Sequence, residues 1–142
     1  MPLKIIDHGS KEYKQMVDLR TQILRKPLGL SFSDEELENE KDNLLIAAYE
    51  DDIMLGCCML IQVAPDTVQL RQMAVKAGLQ GKGIGRVMMQ FAENIARDRG
   101  NEKIIMHARK TAAGFYERLG YKIVGEEFLE LNIPHYNMEK QL

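Results

Sequence analysis

This chain of 142 residues has no tryptophan, only two cysteines and four prolines, and no charge of one sign in excess. Its 19 lysines and arginines face 21 aspartates and glutamates, for a formal net charge of −2. Each shortage excludes something. Balanced charge leaves no basic field of the kind that binds nucleic acid. No apolar run approaches the ~20 residues that cross a bilayer. Neither nucleic acid nor a membrane is therefore an expected partner. The amino-terminal Met1-Pro-Leu-Lys-Ile-Ile-Asp7 turns polar too early for a signal peptide. Cys57 and Cys58 are neighbours, and neighbours on a strand point to opposite faces, so no ordinary disulfide between them is expected. Nothing around them has metal-ligand spacing, and no metal site is expected. A cytoplasmic, reduced protein is the simplest expectation. No repeat, low-complexity tract or linker divides the chain, which reads as one domain, residues 1–142.

What is present is a regular alternation of elements. Leu3 to Ile6 reads as a strand. Residues 10–24 read as one helix with Tyr13, Met16, Val17, Leu19, Ile23 and Leu24 on its apolar face. Ser33-Asp-Glu-Glu36 matches a capping box opening a short helix. Three strands follow, Leu44 to Tyr49, Met54 to Val63 and Thr67 to Val75, the second interrupted by Gly56. A long helix runs to Arg99, with Gly100 as its cap. Lys103 to Ala108 is a strand and Thr111 to Leu119 a helix. Tyr121 to Val124, Phe128 to Leu131 and Asn137 to Lys140 read as extended segments. The expected class is α+β: a mixed, mostly antiparallel twisted sheet with one central β-α-β crossover, strand 67–75 to strand 103–108, and helices on both faces.

The glycine-rich turn of that crossover carries the chemistry. Gln80-Gly-Lys-Gly-Ile-Gly-Arg86 joins strand to helix. Its glycines let backbone approach a ligand closely, and the first N–H groups of the helix have no partner inside it. The helix dipole favours an anion there. Lys82 and Arg86 add positive charge, although solvated helix-start residues would look the same. A P-loop needs Ser or Thr after Gly81-Lys82, and Gly83 stands there. A dinucleotide fingerprint needs G-x-G-x-x-G, and residues 81–86 read G-x-G-x-G-x.

Gln80-x-x-Gly83-x-Gly85 instead resembles the pyrophosphate-binding motif of the GNAT superfamily of acetyl-CoA-dependent N-acetyltransferases. Ala112-Ala-Gly-Phe115-Tyr116-Glu-Arg-Leu-Gly120-Tyr121 resembles that family's next helix. The tail from Phe128 to Lys140, with Ile133-Pro134-His135, resembles one of its subgroups. The resemblance covers roughly residues 44–140. It implies the acyl-CoA N-acyltransferase fold, in which strands 67–75 and 103–108 splay around the pantetheine arm. It also implies acetyl-CoA as co-substrate, held by Gln80, Gly81, Lys82, Gly83, Ile84, Gly85 and Arg86. The backbone of Met73, Ala74 and Val75 would hold the thioester and supply oxyanion donors.

Transfer to an amine needs a base, a positioned carbonyl, an oxyanion site and a proton for the thiolate. The resemblance gives the last role to Tyr116. The spacing of Phe115, Tyr116 and Leu119 equally fits a buried stripe. Several GNAT enzymes place a glutamate before the glycine turn, but Val68-Gln-Leu-Arg-Gln72 has no carboxylate. His107, His135, Glu126 and Glu127 remain as bases. His135 is taken as the catalytic candidate, against packing on Pro134 in a loop; His107 is expected to be a solvent-facing strand residue. Arg109 stands where the family often has an asparagine and is either a phosphate contact or a surface residue. Arg20, Arg25 and Lys26 are expected as a solvated basic edge near the substrate side, the alternative being that they attract an anionic group of the substrate. The expected activity is acetylation of a primary amine, a small molecule in the leading reading, by direct attack on the thioester. A protein N-terminus or lysine as acceptor, or a non-catalytic acyl-CoA sensor, stand as alternatives. The acceptor's identity and the oligomeric state, a homodimer included, are left open.

Overall fold

A computed structural model describes residues 1–142 and joins seven strands in one sheet. They are β1 (Leu3–Ile6), β2 (Leu44–Glu50), β3 (Ile53–Ala64), β4 (Thr67–Val75), β5 (Lys103–Arg109), β6 (Lys122–Glu130) and β7 (Ile133–Gln141). Their order is β1-β2-β3-β4-β5-β7-β6. Only β4 and β5 pair in parallel, through the crossover helix α3 (Ile84–Asp98). The other helices are α1 (Lys11–Arg20), α2 (Asp34–Glu38) and α4 (Ala113–Arg118).

Period-two burial decides which helix covers which face. Ile46, Cys58, Leu60, Val68, Leu70, Ile104 and Met106 form one core with Met89, Ala92 and Ala96 of α3 and Tyr116 of α4. Leu45, Ala47, Cys57 and Met59 form the opposite core with Tyr13, Met16 and Leu19 of α1. Cys57 and Cys58 thus lie in different cores, both fully buried thiols. Gly56 is fixed by packing, because a Cβ there would lie 2.7 Å from Met88 Cε and 3.2 Å from Ile84 Cγ2.

Three local expectations are corrected. The helix expected over 10–24 is α-helical only to Arg20. It widens into a π-turn at Thr21–Arg25 and tightens into a 3₁₀ turn at Lys26–Leu28. Thr21 Oγ1 donates to Val17 O at 2.7 Å, and this back-bonding loosens a helix. Pro27 and Gly29, at φ 70°, end it. Next, the two extended segments at 121–124 and 128–131 are one strand, β6, broken by an irregularity at Val124–Phe128 where Gly125 has φ 80°. Finally, the last strand starts at Ile133, not Asn137. Leu131 and Asn132, at φ 54° and 61°, form a two-residue hairpin turn. Pro134 and His135 therefore belong to β7 and not to a loop.

Arg20 departs from the expected basic edge. It is 0% exposed, and Nη1 and Nη2 donate to Glu40 Oε1 and Oε2, each at 2.7 Å. Tyr13 Oη donates to the same carboxylate at 2.8 Å. Burial, more than the carboxylate, pushes the Tyr13 hydroxyl well above its usual pKa. This group ties α1 to the segment after α2. It fixes the floor from which the π-turn reaches β4.

Candidate active site

The site begins with incomplete pairing. β4 and β5 are in register only over Thr67↔Lys103 to Leu70↔Met106. Beyond that β4 follows β3 to Val75, and β5 follows β7 to Arg109. The cause is visible in β4. Gln72 has φ 57°, and the β3–β4 register slips between Cys57 and Met59. One inserted residue bends the strand away and reverses its phase. Thus Leu70 faces α3, but Ala74 packs with the α1 core. The resulting cleft passes through the sheet and has a volume of about 860 Å³. Met73, Ala74 and Val75 line it. The Lys76 N–H donates to Leu55 O at 2.8 Å, towards β3. By alternation the Val75 peptide faces the cleft, and its carbonyl accepts from Gln80 Nε2 at 2.9 Å.

The glycine turn stands on the α3 side of the cleft. Gly83, at φ 87°, is the N-cap of α3 and offers no side-chain cap. The first α-helical bond is Val87 N–H to Gly83 O at 3.1 Å, which leaves the N–H groups of Ile84, Gly85 and Arg86 without helical partners. A Cβ on Gly81 or Gly83 would meet no protein atom within 4 Å, so their bareness serves no packing within the chain. Gly85 differs: a Cβ there would lie 3.0 Å from Phe115 Cζ, so this glycine admits α4 against α3. Gln80 is occupied by the turn, since its Oε1 also accepts from Gly78 N at 3.1 Å. Lys82 and Arg86 are exposed at the turn and do not line the cleft. No acidic residue lies in the first turn of α3. Open glycine backbone, free N–H groups and a positive surround fit a pyrophosphate.

Tyr116 lines the cleft from the same side. It is 6% exposed, and its hydroxyl has no hydrogen-bond partner in the protein. Burial holds that hydroxyl well above its ordinary pKa, so it is protonated at neutral pH. Phe115 and Tyr121 fix the ring edge-on at centroid distances of 5.0 and 5.8 Å.

The opposite face carries a second set of groups. Gln69 and Arg71 on β4, His107 and Arg109 on β5, His135 on β7 and Glu130 on β6 all line the cleft. The π-turn closes over them through Ile23, Leu24 and Arg25. Arg109 Nη2 donates to Leu24 O at 3.2 Å, which turns this side chain away from the glycine turn. His135 is 5% exposed. Its Nδ1 lies 2.7 Å from Ile133 O. A carbonyl only accepts, so Nδ1 carries the hydrogen and the neutral ring keeps its lone pair on Nε2. That Nε2 is 3.5 Å from Glu130 Oε2, while His107 Nδ1 donates to Glu130 Oε1 at 3.0 Å. Phe128 lies against both rings. Glu126 and Glu127 are outside the cleft, and Glu127 pairs with Lys110 at 2.8 Å.

Glu130 and Arg71 are the site residues the sequence did not single out. The signal for Glu130 was the Leu131-Asn132 turn. A two-residue hairpin there pairs Phe128 with His135 and Glu130 with Ile133. This sets Glu130 beside His135 on one face.

The chain is similar in sequence and fold to known proteins of one family. Residues 22–142 match the family described as "Acetyltransferase (GNAT) domain". A Bacillus subtilis (strain 168) protein described as an acetyltransferase is 30% identical over 127 residues, covering 87% of this chain and 86% of its own. The uncharacterized N-acetyltransferase YjcF of the same organism is 27% identical over 139 residues, 96% of this chain and 97% of its own. A Lactobacillus plantarum structure described as an N-acetyltransferase superposes with TM-score 0.87 at 25% identity, covering 100% of this chain and 99% of that one. An aminoglycoside 6′-N-acetyltransferase solved with coenzyme A shares the fold at TM-score 0.83 and 21% identity, over 99% and 97% of the two chains.

Proposed function

This chain belongs to the GNAT family of acetyltransferases and uses acetyl-CoA as co-substrate, and on that premise we propose that residues 1–142 act as one domain that acetylates the primary amine of a small molecule by direct attack in a ternary complex. The observation that carries the reading is the cleft through the sheet, with a phosphate cradle on the α3 face and a polar chamber on the other. Two substrates then meet from opposite sides, with the reacting atoms held between β4 and β5.

Bound acetyl-CoA supplies an acyl carbonyl activated as a thioester. The residues do the rest. Gly81, Gly83 and the free N–H groups of residues 84–86 bind the pyrophosphate. Gln80 holds the turn in shape, and Lys82 and Arg86 provide its positive surround. Met73, Ala74 and Val75 line the cleft, and the Val75 N–H, turned away from β3, donates to developing negative charge. His135 Nε2 accepts the proton of the acceptor, directly or through one water. Glu130 stabilises the imidazolium that results and links it to His107 at the solvent edge. Tyr116 Oη donates a proton to the leaving sulfur and regains one from solvent as the products leave, while His135 releases its own to solvent.

Burial pushes the Cys57 thiol up to about 12 and raises that of Cys58 further, and neither lines the cleft. A covalent acyl-cysteine step is therefore disfavoured. A chamber bordered by the π-turn and by four strands suits a small acceptor. The test is a panel of small primary amines, protein N-terminal peptides and lysine peptides with acetyl-CoA, followed as free thiol released. Turnover confined to small amines is expected. Turnover confined to peptides would assign the protein-acetylation reading, and tight acetyl-CoA binding without turnover on any acceptor would assign the sensor reading.

A further inference from the structure

The acceptor chamber has an unbalanced charge. Among the residues lining the cleft, Glu130 is the only carboxylate, and two histidines already flank it at 3.0 and 3.5 Å. Against it stand Arg25, Arg71, Arg109 and Arg118. Arg118 belongs to α4, on the cradle side. Arg25 is neutralised by Glu36 at 3.1 Å and stacked on Phe32. The other two have no acidic partner. Arg109 makes one hydrogen bond, to the Leu24 carbonyl. Arg71 is exposed and makes no ion pair or side-chain hydrogen bond in the protein.

Their side of the sheet matters. Leu70, Met106 and Ala108 point into the core beneath α3 and α4. By alternation Arg71 and Arg109 point to the other face, where the π-turn lies. The coenzyme phosphates, held at the α3 N-terminus, do not account for them. Register sets Arg71 level with His107 across the cleft, one step beyond the last β4–β5 pair, Leu70↔Met106. His135 is directly opposite Arg109 on the neighbouring strand. Two guanidinium groups without an acidic partner therefore border the chamber of the histidine that faces the acceptor nitrogen, Arg109 beside it and Arg71 across the cleft.

We propose that the acceptor is an amine that also carries a carboxylate, bound by Arg71 and Arg109 while its amino group faces His135. This deepens the reading given above and rests on it. A guanidinium offers paired N–H donors that match a carboxylate. The same charges repel a polyamine or other polycationic acceptor, so selection works by repulsion as well as attraction. Ile23, Leu24 and Leu131 line the rest of the chamber and fit an apolar spacer between the two ends of the acceptor.

Matched pairs test this: 4-(aminomethyl)benzoate with benzylamine, and 4-aminobutyrate with butylamine. Within a pair the amines are of similar basicity and differ chiefly in the carboxylate. The expected result is a kcat/KM roughly tenfold or more higher for the carboxylate member of at least one pair, the range of a charge-assisted hydrogen bond. Arg71→Gln should collapse that ratio mainly through KM, and Arg71→Lys should keep part of it. The acetyl-CoA Kd should not follow either change, which separates the chamber from the cradle. Equal or better use of the uncharged members in both pairs, a preference for spermidine, or a ratio that survives Arg71→Gln would overturn the inference. If acetyl-CoA binds but no thiol is released from any amine, the enzymatic reading fails and calorimetry decides this one. Binding of either carboxylate member, weakened by Arg71→Gln, sustains it; binding of neither overturns it.

Discussion

The Tyr116 ring is held edge-on by Phe115 and Tyr121, yet its hydroxyl has no partner inside the protein. A core tyrosine normally hydrogen-bonds its hydroxyl when buried. Tyr121 does so, donating to Glu93 Oε2 at 2.8 Å. The two tyrosines of one motif thus differ in chemistry though not in burial. Tyr116→Phe removes no protein hydrogen bond, so the melting temperature and acetyl-CoA Kd should stay near wild type. If Tyr116 is the general acid, kcat should fall by a factor on the order of 10²–10⁴, less if the thiolate leaves readily unaided. Unchanged kcat would return the residue to the core. Arg20 makes the opposite case, a charge with a structural role. Arg20→Met leaves Glu40 buried and unpaired and should cost roughly 3–5 kcal/mol in urea unfolding. Adding Glu40→Leu should recover part of that. A signal for Arg20 lay in the sequence, because Tyr13, Met16 and Arg20 share one helical face. Its partner did not, since nothing local ties Glu40 to a position 20 residues away.

At the level of elements, two helix starts do different things with the same unpaired N–H groups. The α2 start is closed by its own sequence: Ser33 Oγ accepts from Glu36 N at 3.1 Å and Ser33 N donates to Glu36 Oε1 at 3.3 Å. The Ser33 backbone, aided by Arg25, holds the Glu36 carboxyl below its usual pKa. A depressed carboxylate stabilises the fold above the unfolded value of ~4.3 and loses that contribution as pH falls through the folded one. Glu36→Ala should therefore melt below wild type at pH 7, with the two curves converging as pH drops below ~4; a constant gap would show that packing, not charge, is at stake. The α3 start is left open. A β-branched side chain at Gly83 must adopt φ near 87°, costing on the order of 1–3 kcal/mol, and it projects where no protein atom lies. Gly83→Val should therefore weaken acetyl-CoA binding well beyond its effect on melting; calorimetry on the folded variant checks this, and wild-type affinity would contradict it. Both starts were legible, because capping boxes and glycine spacing are local codes. The bulge at Gln72 was not. A glutamine with positive φ inside a strand has no sequence signature, yet it turns Ala74 to the α1 face and opens the cleft.

At the scale of the molecule, the sheet is two antiparallel blocks joined along four residue pairs, Thr67↔Lys103 to Leu70↔Met106. The element order and the single crossover were readable from periodicity and turn chemistry. The insertion of β7 between β5 and β6 was not, because β6 and β7 are equally extended in sequence and only long-range pairing decides which one meets β5. That pairing brings His135 beside Arg109 and makes one chamber from four strands. The same architecture leaves strand edges unpaired along the cleft, between β4 beyond Leu70 and β5 beyond Met106. Edges of this kind open more readily than the rest of a sheet. A ligand that bridges β4 and β5 and seats its phosphates on α3 ties both blocks together, and it binds the folded state alone. Acetyl-CoA at 100 times its Kd should therefore add ~2.7 kcal/mol, which for a chain of this size raises the melting temperature by on the order of 5–10 °C. Amide exchange should slow most in residues 71–76 and 107–109, on both sides of the cleft. A melting shift without that protection would place the ligand elsewhere on the surface. Neither a shift nor a calorimetric heat would mean that the open turn at Gly81 and Gly83 is no phosphate cradle in this chain.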